Sequence, residues 1–168
     1  MKIIAFSDSH GNPDLLRDAL SQAMRGMPID VCIHCGDGVR DLDAVAPILM
    51  DANPNTRLYG VRGNCDLAAA EVPTLELFDV GGIRMMASHG HLFNVKHGLE
   101  GFCCAAEARG AQIAFFGHTH RPFLEMVRGV YLINPGAICA HMPGNIAYAQ
   151  VVVQPGGAYR ADLMPWLM

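Results

Sequence analysis

The chain has 168 residues, 51% apolar and 17% charged, with a formal charge of −4 from 12 basic and 16 acidic side chains. That composition buries a core of ordinary size and excludes disorder, collagen-like repeats and coiled coil. The Lys and Arg residues are scattered, which excludes an extended phosphate-backbone surface for DNA or RNA, and no apolar run approaches the ~18 residues that cross a bilayer.

One domain over residues 1–168 is expected. Ser7 and Asp8 cut the opening apolar run too short for a secretory signal, so a cytoplasmic location and reduced cysteines are expected. Lys2 to Ser7 is nearly all apolar, the pattern of a strand covered on both faces. Asn12 as N-cap and Pro13 at the first helical position open a helix predicted to run to Arg25, with Leu16, Ala19, Leu20 and Ala23 on one face. A strand over Asp30–His34 follows, then a helix over Asp41–Met50 interrupted or kinked at Pro47, then a strand over Thr56–Val61. Alternating strand and helix predict a parallel βαβ half. Cys32 and Cys35, three apart on a strand, point to opposite faces and read as core rather than as a metal or redox pair.

Beyond Asn64 the pattern changes. Thr74–Val80, a Gly81-Gly82 turn and Ile83–Ser88 read as a hairpin. A helix is predicted from Val95 through Ala106, closed by Gly110, followed by strands over Gln112–Phe116, Phe123–Val127, Val130–Ile133, Ile146–Val153 and Ala158–Leu163. Two packed sheets with flanking helices result. The apolar end, Met164 to Met168, is expected to close a sheet edge or to meet a second copy of the chain.

Polar residues fall where strands end. Asp8 and His10 follow the first strand, Asp37 the second, Asn64 and Asp66 the third, His89 and His91 the hairpin, and His118 and His120 the next strand. Ligands bind at the carboxyl ends of strands in open α/β sheets, so these groups converge on one rim. At least two carboxylates, four imidazoles and a carboxamide among these are oxygen and nitrogen donors too numerous for one ion, and they suit a pair of divalent transition metals: Mn²⁺ first, with Zn²⁺, Ni²⁺ or Fe as alternatives.

Ser7-Asp8-Ser9-His10-Gly11-Asn12, Gly36-Asp37, Gly63-Asn64-Cys65-Asp66, His89-Gly90-His91 and Gly117-His118-Thr119-His120 resemble, in order and spacing, the five signature blocks of the calcineurin-like metallophosphoesterases. Length and the Gly-Asn-Cys-Asp block resemble the compact YfcE-like phosphodiesterases in particular. The resemblance implies an α/β four-layer αββα sandwich. It assigns Asp8, His10, Asp37 and His120 to one metal, with Asp37 bridging, and Asn64, His89 and His118 to the other, with a hydroxide between the ions as nucleophile. The implied activity is hydrolysis of a small phosphodiester. A phosphomonoesterase, or a binding module like the retromer subunit of the same fold, is the alternative.

Asn64, Cys65 and His91 are the further catalytic candidates. Cys65 stands where the wider superfamily has a His that helps protonate the leaving oxygen, and a thiol is a poorer donor. His91 either contacts phosphate or metal-bound solvent, or orients a ligand. Asp66 is expected to cap the Asn64 turn, Asp41 and Asp43 to serve a helix N-terminus, and His34, His97 and His141 to be structural or surface residues.

Overall fold

The computed structural model describes residues 1–138 and 146–166; Cys139, His141, Leu167 and Met168 therefore lie outside the described residues. The first half folds as β1 (Lys2–Phe6), α1 (Pro13–Ala23), β2 (Val31–His34), α2 (Asp41–Ala52) and β3 (Arg57–Gly60). Then come β4 (Leu75–Val80), β5 (Ile83–Ser88), a 3₁₀ turn at His91–Phe93, α3 (Glu100–Glu107), β6 (Ile113–Phe115), β7 (Phe123–Val127) and β8 (Val130–Asn134). β9 (Ile146–Val153) and β10 (Tyr159–Pro165) complete the order.

Two mixed sheets form, ordered β10-β9-β1-β2-β3 and β4-β5-β6-β8-β7. Pleating sorts the apolar residues into three layers of core. Ile3, Ala5, Val31 and Ile33 face Met85, Ala87, Ile113 and Phe115 between the sheets, while Ile4, Phe6 and Cys32 face α1 and α2. On the outer side of the second sheet, Met86, Ala114 and Phe116 pack on Phe102, Cys103 and Ala106 of α3. The result is the expected four-layer αββα sandwich. Cys32 and Cys35 fall in different layers, as their spacing requires.

Local chemistry explains the element ends. Asn12 Oδ1 accepts from Leu15 N–H at the start of α1. That helix stops at Ala23, short of the expected Arg25, as the chain turns left-handed at Gly26 (φ 84°), and Lys2 Nζ caps its end by donating to the carbonyls of Ala23 (2.5 Å), Arg25 (3.1 Å) and Met27 (3.3 Å). The hairpin pairs Val80 with Ile83 across Gly81 and Gly82, whose φ values of 58° and 84° suit a two-residue primed turn.

Two sequence expectations need correction. α2 is not interrupted at Pro47, which is exposed, so its ring and the carbonyl it leaves unpaired meet water. α3 begins at Glu100 rather than Val95, because Asn94 takes a left-handed φ of 56° that ends the 3₁₀ turn. In the C-terminal tail, Met164 and Pro165 pair with Tyr148 and Ile146 on the edge strand, and Met164 and Trp166 pack against the α1 and α2 side of the core.

Candidate metal centre

β1, β2 and β3 lie side by side and parallel, so their carboxyl ends share one rim. Cross-strand bonding continues past the strand ends: Asp8 N–H donates to Gly36 O (3.0 Å) and His10 N–H to Asp37 O (2.9 Å). β5 and β6 do the same on the second sheet, where Gly117 N–H donates to His89 O (3.1 Å). The two rims are tied together by His118 N–H to Asp8 Oδ2 (3.0 Å) and His89 Nδ1 to Cys35 O (2.7 Å).

The backbone is strained where these side chains turn inward. Asp8, His10, Asp37, His118 and His120 have φ of 53°, 50°, 53°, 65° and 57°. Among the described residues only Asn94 and Arg128 join them as left-handed non-glycines. Each such residue costs roughly 1–2 kcal/mol, and strain gathered at one rim marks a functional site. The motif glycines permit close approach: a Cβ on Gly63 would sit 2.1 Å from Asp37 Oδ1, and one on Gly117 2.0 Å from Ser7 Oγ.

Among the described residues three groups of donor atoms result, each with its atoms within 4.8 Å of one another: Asp8, His10 and His120; Asp37, His89 and His118; and His10, Asp37 and Cys65, which links the first two. His120 Nε2 lies 3.1 Å from Asp8 Oδ1 and 3.2 Å from His10 Nε2. His89 Nε2 lies 3.2 Å from both Asn64 Oδ1 and His118 Nδ1, and 3.4 Å from Asp37 Oδ2. Since His89 Nδ1 donates to a carbonyl, the neutral ring keeps a lone pair at Nε2, aimed at the acceptor oxygens of Asn64 and Asp37. Asp8 Oδ1 is buried and accepts no hydrogen bond among the described residues. Lone pairs converging in a desolvated place are stabilised by a cation, and this donor set fits divalent metal.

Electrostatics agree. Burial would raise the Asp37 carboxyl, but His89 and the Cys65 N–H hold it well below the usual carboxylate range. Burial raises Asp8, against hydrogen bonds from Ser7 and the His118 amide. Burial would lower His89, yet Asp37 and Asp8 raise it. Burial, aided by the charges of His89 and Lys96, pushes His118 down to about 4. Cys65 is exposed and its thiol is raised first of all by Asp37, so it stays protonated at neutral pH.

Beneath the rim lies a hydrogen-bonded brace. The Asp66 carboxylate accepts from the amides of Asp37 (2.8 Å), Gly38 (2.7 Å), Val39 (3.2 Å) and Gly63 (2.8 Å), so it holds the second loop as well as its own turn. Asp41 was expected only to favour a helix N-terminus. Its Oδ2 instead accepts from Ser9 Oγ (2.6 Å), Gly11 N (3.0 Å) and Asn12 N (3.1 Å), tying the first loop to the second. His34 joins the same brace: Gly36 N–H donates to Nδ1 (3.2 Å), leaving Nε2 to donate to Ser9 Oγ (3.0 Å). The signal for His34 was present in the sequence, since a polar ring in a strand buried on both faces requires partners. Asn134 clamps the fifth loop through Gly117 O (2.9 Å) and Thr119 Oγ1 (3.0 Å).

His91 stands beside the second group, its ring centroid 5.3 Å from His89 and 6.2 Å from His118, with a buried Nδ1 that has no hydrogen-bond partner among the described residues. Asn64 Nδ2 donates to Cys65 Sγ at 3.3 Å. His97 is exposed and joins none of the three donor groups.

Comparison with known proteins agrees with the geometry. The calcineurin-like phosphoesterase superfamily domain matches residues 1–155. The probable metallophosphoesterase YsnB of Bacillus subtilis is 34% identical over 139 residues, 82% of this chain and 75% of that protein. A phosphodiesterase of Methanocaldococcus jannaschii is 26% identical over 157 residues, covering 86% and 88% of the two chains. A Streptococcus pneumoniae protein described as a predicted phosphoesterase superposes with a TM-score of 0.71 at 22% identity, covering 98% and 97%. Vps29 of Entamoeba histolytica, complexed with Zn²⁺, gives 0.70 at 17% identity, covering 98% and 99%. The two structures share the fold; the match over residues 1–155 and the YsnB relationship carry the assignment. This chain belongs to the calcineurin-like phosphoesterase superfamily, hydrolases that use divalent metals.

Proposed function

We propose that the chain is a dinuclear-metal-dependent phosphodiesterase acting on a small phosphodiester. The observation that carries this reading is Asp37: an anion with two oxygens, placed both with His89 and His118 and with His10, between the two outer groups. In this proposal Asp8, His10 and His120 hold one ion, Asn64, His89 and His118 the other, and Asp37 bridges them, with Mn²⁺ the favoured metal and Zn²⁺, Ni²⁺ or Fe the alternatives. Bound there, such ions make water a nucleophile near neutral pH and neutralise charge on the phosphoryl oxygens.

The protein's own contribution is positioning. Cys35 O fixes the His89 ring and its tautomer, Asp66 and Asp41 fix the loops, and the burial of Asp8, Asp37 and His89 strengthens their charge interactions. The His91 ring stands beside the second group, where it either meets a phosphoryl oxygen or metal-bound solvent or orients a ligand. Cys65 Sγ holds a proton at the rim, and the Asp37 charge beside it makes that thiol a weak acid.

The test compares bis(p-nitrophenyl) phosphate with p-nitrophenyl phosphate on chelator-stripped protein before and after Mn²⁺. Faster hydrolysis of the diester, absent without metal and restored by it, is expected. A faster monoester reaction would make the chain a phosphomonoesterase. A chain that holds two ions and hydrolyses neither ester would be a binding module, the reading that its likeness to Vps29 favours.

A further inference from the structure

A groove of about 470 Å³ lies beside the part of the centre supplied by the second sheet. Val95, Leu99 and Phe123 give it apolar walls, and Thr119, which sits between His118 and His120 in the chain, places it against the candidate ligands. Its volume falls within the range of sites for small organic ligands.

Two cations also line this groove, Lys96 and Arg121. Both are exposed, and among the described residues neither side chain has an acidic or hydrogen-bonding partner. Of the other arginines, Arg17, Arg40, Arg84, Arg128 and Arg160 pair with carboxylates, Arg57, Arg62 and Arg109 donate to backbone carbonyls, and Arg25 alone does neither among the described residues, but it does not line this groove. In a chain of net charge −4, two unpaired cations at one half-apolar groove are an unbalanced feature that an anionic ligand would complete. On the phosphodiesterase reading the ester phosphate is held at the metal centre, so the anion that completes these two cations is a second one.

We propose that the groove receives the organic part of the substrate: an aromatic group of about nucleoside size bearing a second phosphate, which Lys96 and Arg121 hold. The inference rests on the phosphodiesterase reading and names its substrate class. Phe123 and Leu99 supply the apolar contact, and the cations select for the added charge.

Three diesters with one leaving group test it: bis(p-nitrophenyl) phosphate, the p-nitrophenyl ester of thymidine 5′-phosphate, and the same ester carrying a 3′-phosphate. The 3′-phosphate is expected to raise kcat/KM about tenfold or more over the ester lacking it, the scale of a charge-assisted contact. Lys96→Gln and Arg121→Gln should each remove most of that ratio. A ratio near one in the wild type, or one that survives the double substitution, overturns the proposal. Calorimetric binding of thymidine 3′,5′-bisphosphate to chelator-stripped protein gives a readout independent of turnover, and both substitutions should weaken it about tenfold. Bisphosphate binding that depends on Lys96 and Arg121 in a chain that cleaves no diester keeps the groove and ends the phosphodiesterase reading. Turnover of bis(p-nitrophenyl) phosphate with no response to the 3′-phosphate does the reverse.

Discussion

The two halves of the rim use similar residue types in unlike surroundings. The histidines carry the difference: His10 and His120 leave 30% and 45% of their side chains exposed, whereas His118 is half-buried and His89 leaves 0%; Asp8 and the shared Asp37 are buried, and Asn64 is exposed. The buried half is also held more firmly. The His89 tautomer is set by Cys35 O, and the Asp37 loop is gripped by Asp66 through three successive amides. In the open half, by contrast, the histidine rings lie against each other and Asp8, with Asp37 and Cys65 near His10, and among the described residues no backbone carbonyl fixes either ring. Donors already oriented and dehydrated lose little freedom on binding a cation, and the low local dielectric magnifies the attraction. A metal in the buried half should therefore be held more tightly than one in the open half.

Breaking the link between the halves should have the largest effect. Asp37→Asn removes the charge shared by both groups, and we expect turnover to fall roughly 10³-fold, the upper range for losing one preorganised electrostatic contact, with metal content below two per chain. Full activity after this change would refute the shared-carboxylate arrangement. The asymmetry itself is tested by comparing His89→Ala with His120→Ala. Metal analysis after dialysis against a weak chelator should show His120→Ala keeping about one ion and His89→Ala losing that retained ion. Equal retention by both variants would mean that burial does not rank the halves.

Cys65 sits where the halves meet, and a smaller change is expected there. If its thiol is a weak proton donor, rates should fall steeply as leaving-group pKa rises, and Cys65→His should speed poor leaving groups about tenfold or more while flattening that slope. Were His91 or water the donor, Cys65→His would leave the slope alone and His91→Ala would steepen it.

The least effect on turnover at neutral pH is expected at His34, in the brace below. Burial pushes its pKa from 6.5 down to about 4, so between those values the unfolded chain takes up a proton that the folded chain refuses. Its contribution is fully present above pH 6.5 and is lost as pH falls toward 4, by up to about 3 kcal/mol. Urea unfolding of chelator-stripped protein should show a shallower acid decline for His34→Gln over that interval, and parallel declines would show that His34 is not held neutral.

Much of this was legible in the sequence. The run Lys2 to Ser7, the Asn12-Pro13 helix start and the Gly81-Gly82 hairpin are short-range patterns, so β1, α1 and the β4–β5 pair form near the places expected. The five motifs at strand ends also followed from residue type and strand period. Less legible were the contacts made by distant groups, such as Lys2 Nζ capping the last carbonyl of α1.

The sequence by itself determined which donors this chain owns and that parallel strands would bring them to one rim. Only tertiary structure decided how they are used. Asp8 meets His120 and the His118 amide across more than a hundred residues, and His89 takes its tautomer from a carbonyl on another sheet. Asp41, Asp66 and His34 form the brace because hydrogen bonds act over about 3 Å, irrespective of separation along the chain. Local pattern records what a residue prefers beside its neighbours, but a buried polar atom must be satisfied by whatever folding brings to it, and that choice exists only in three dimensions.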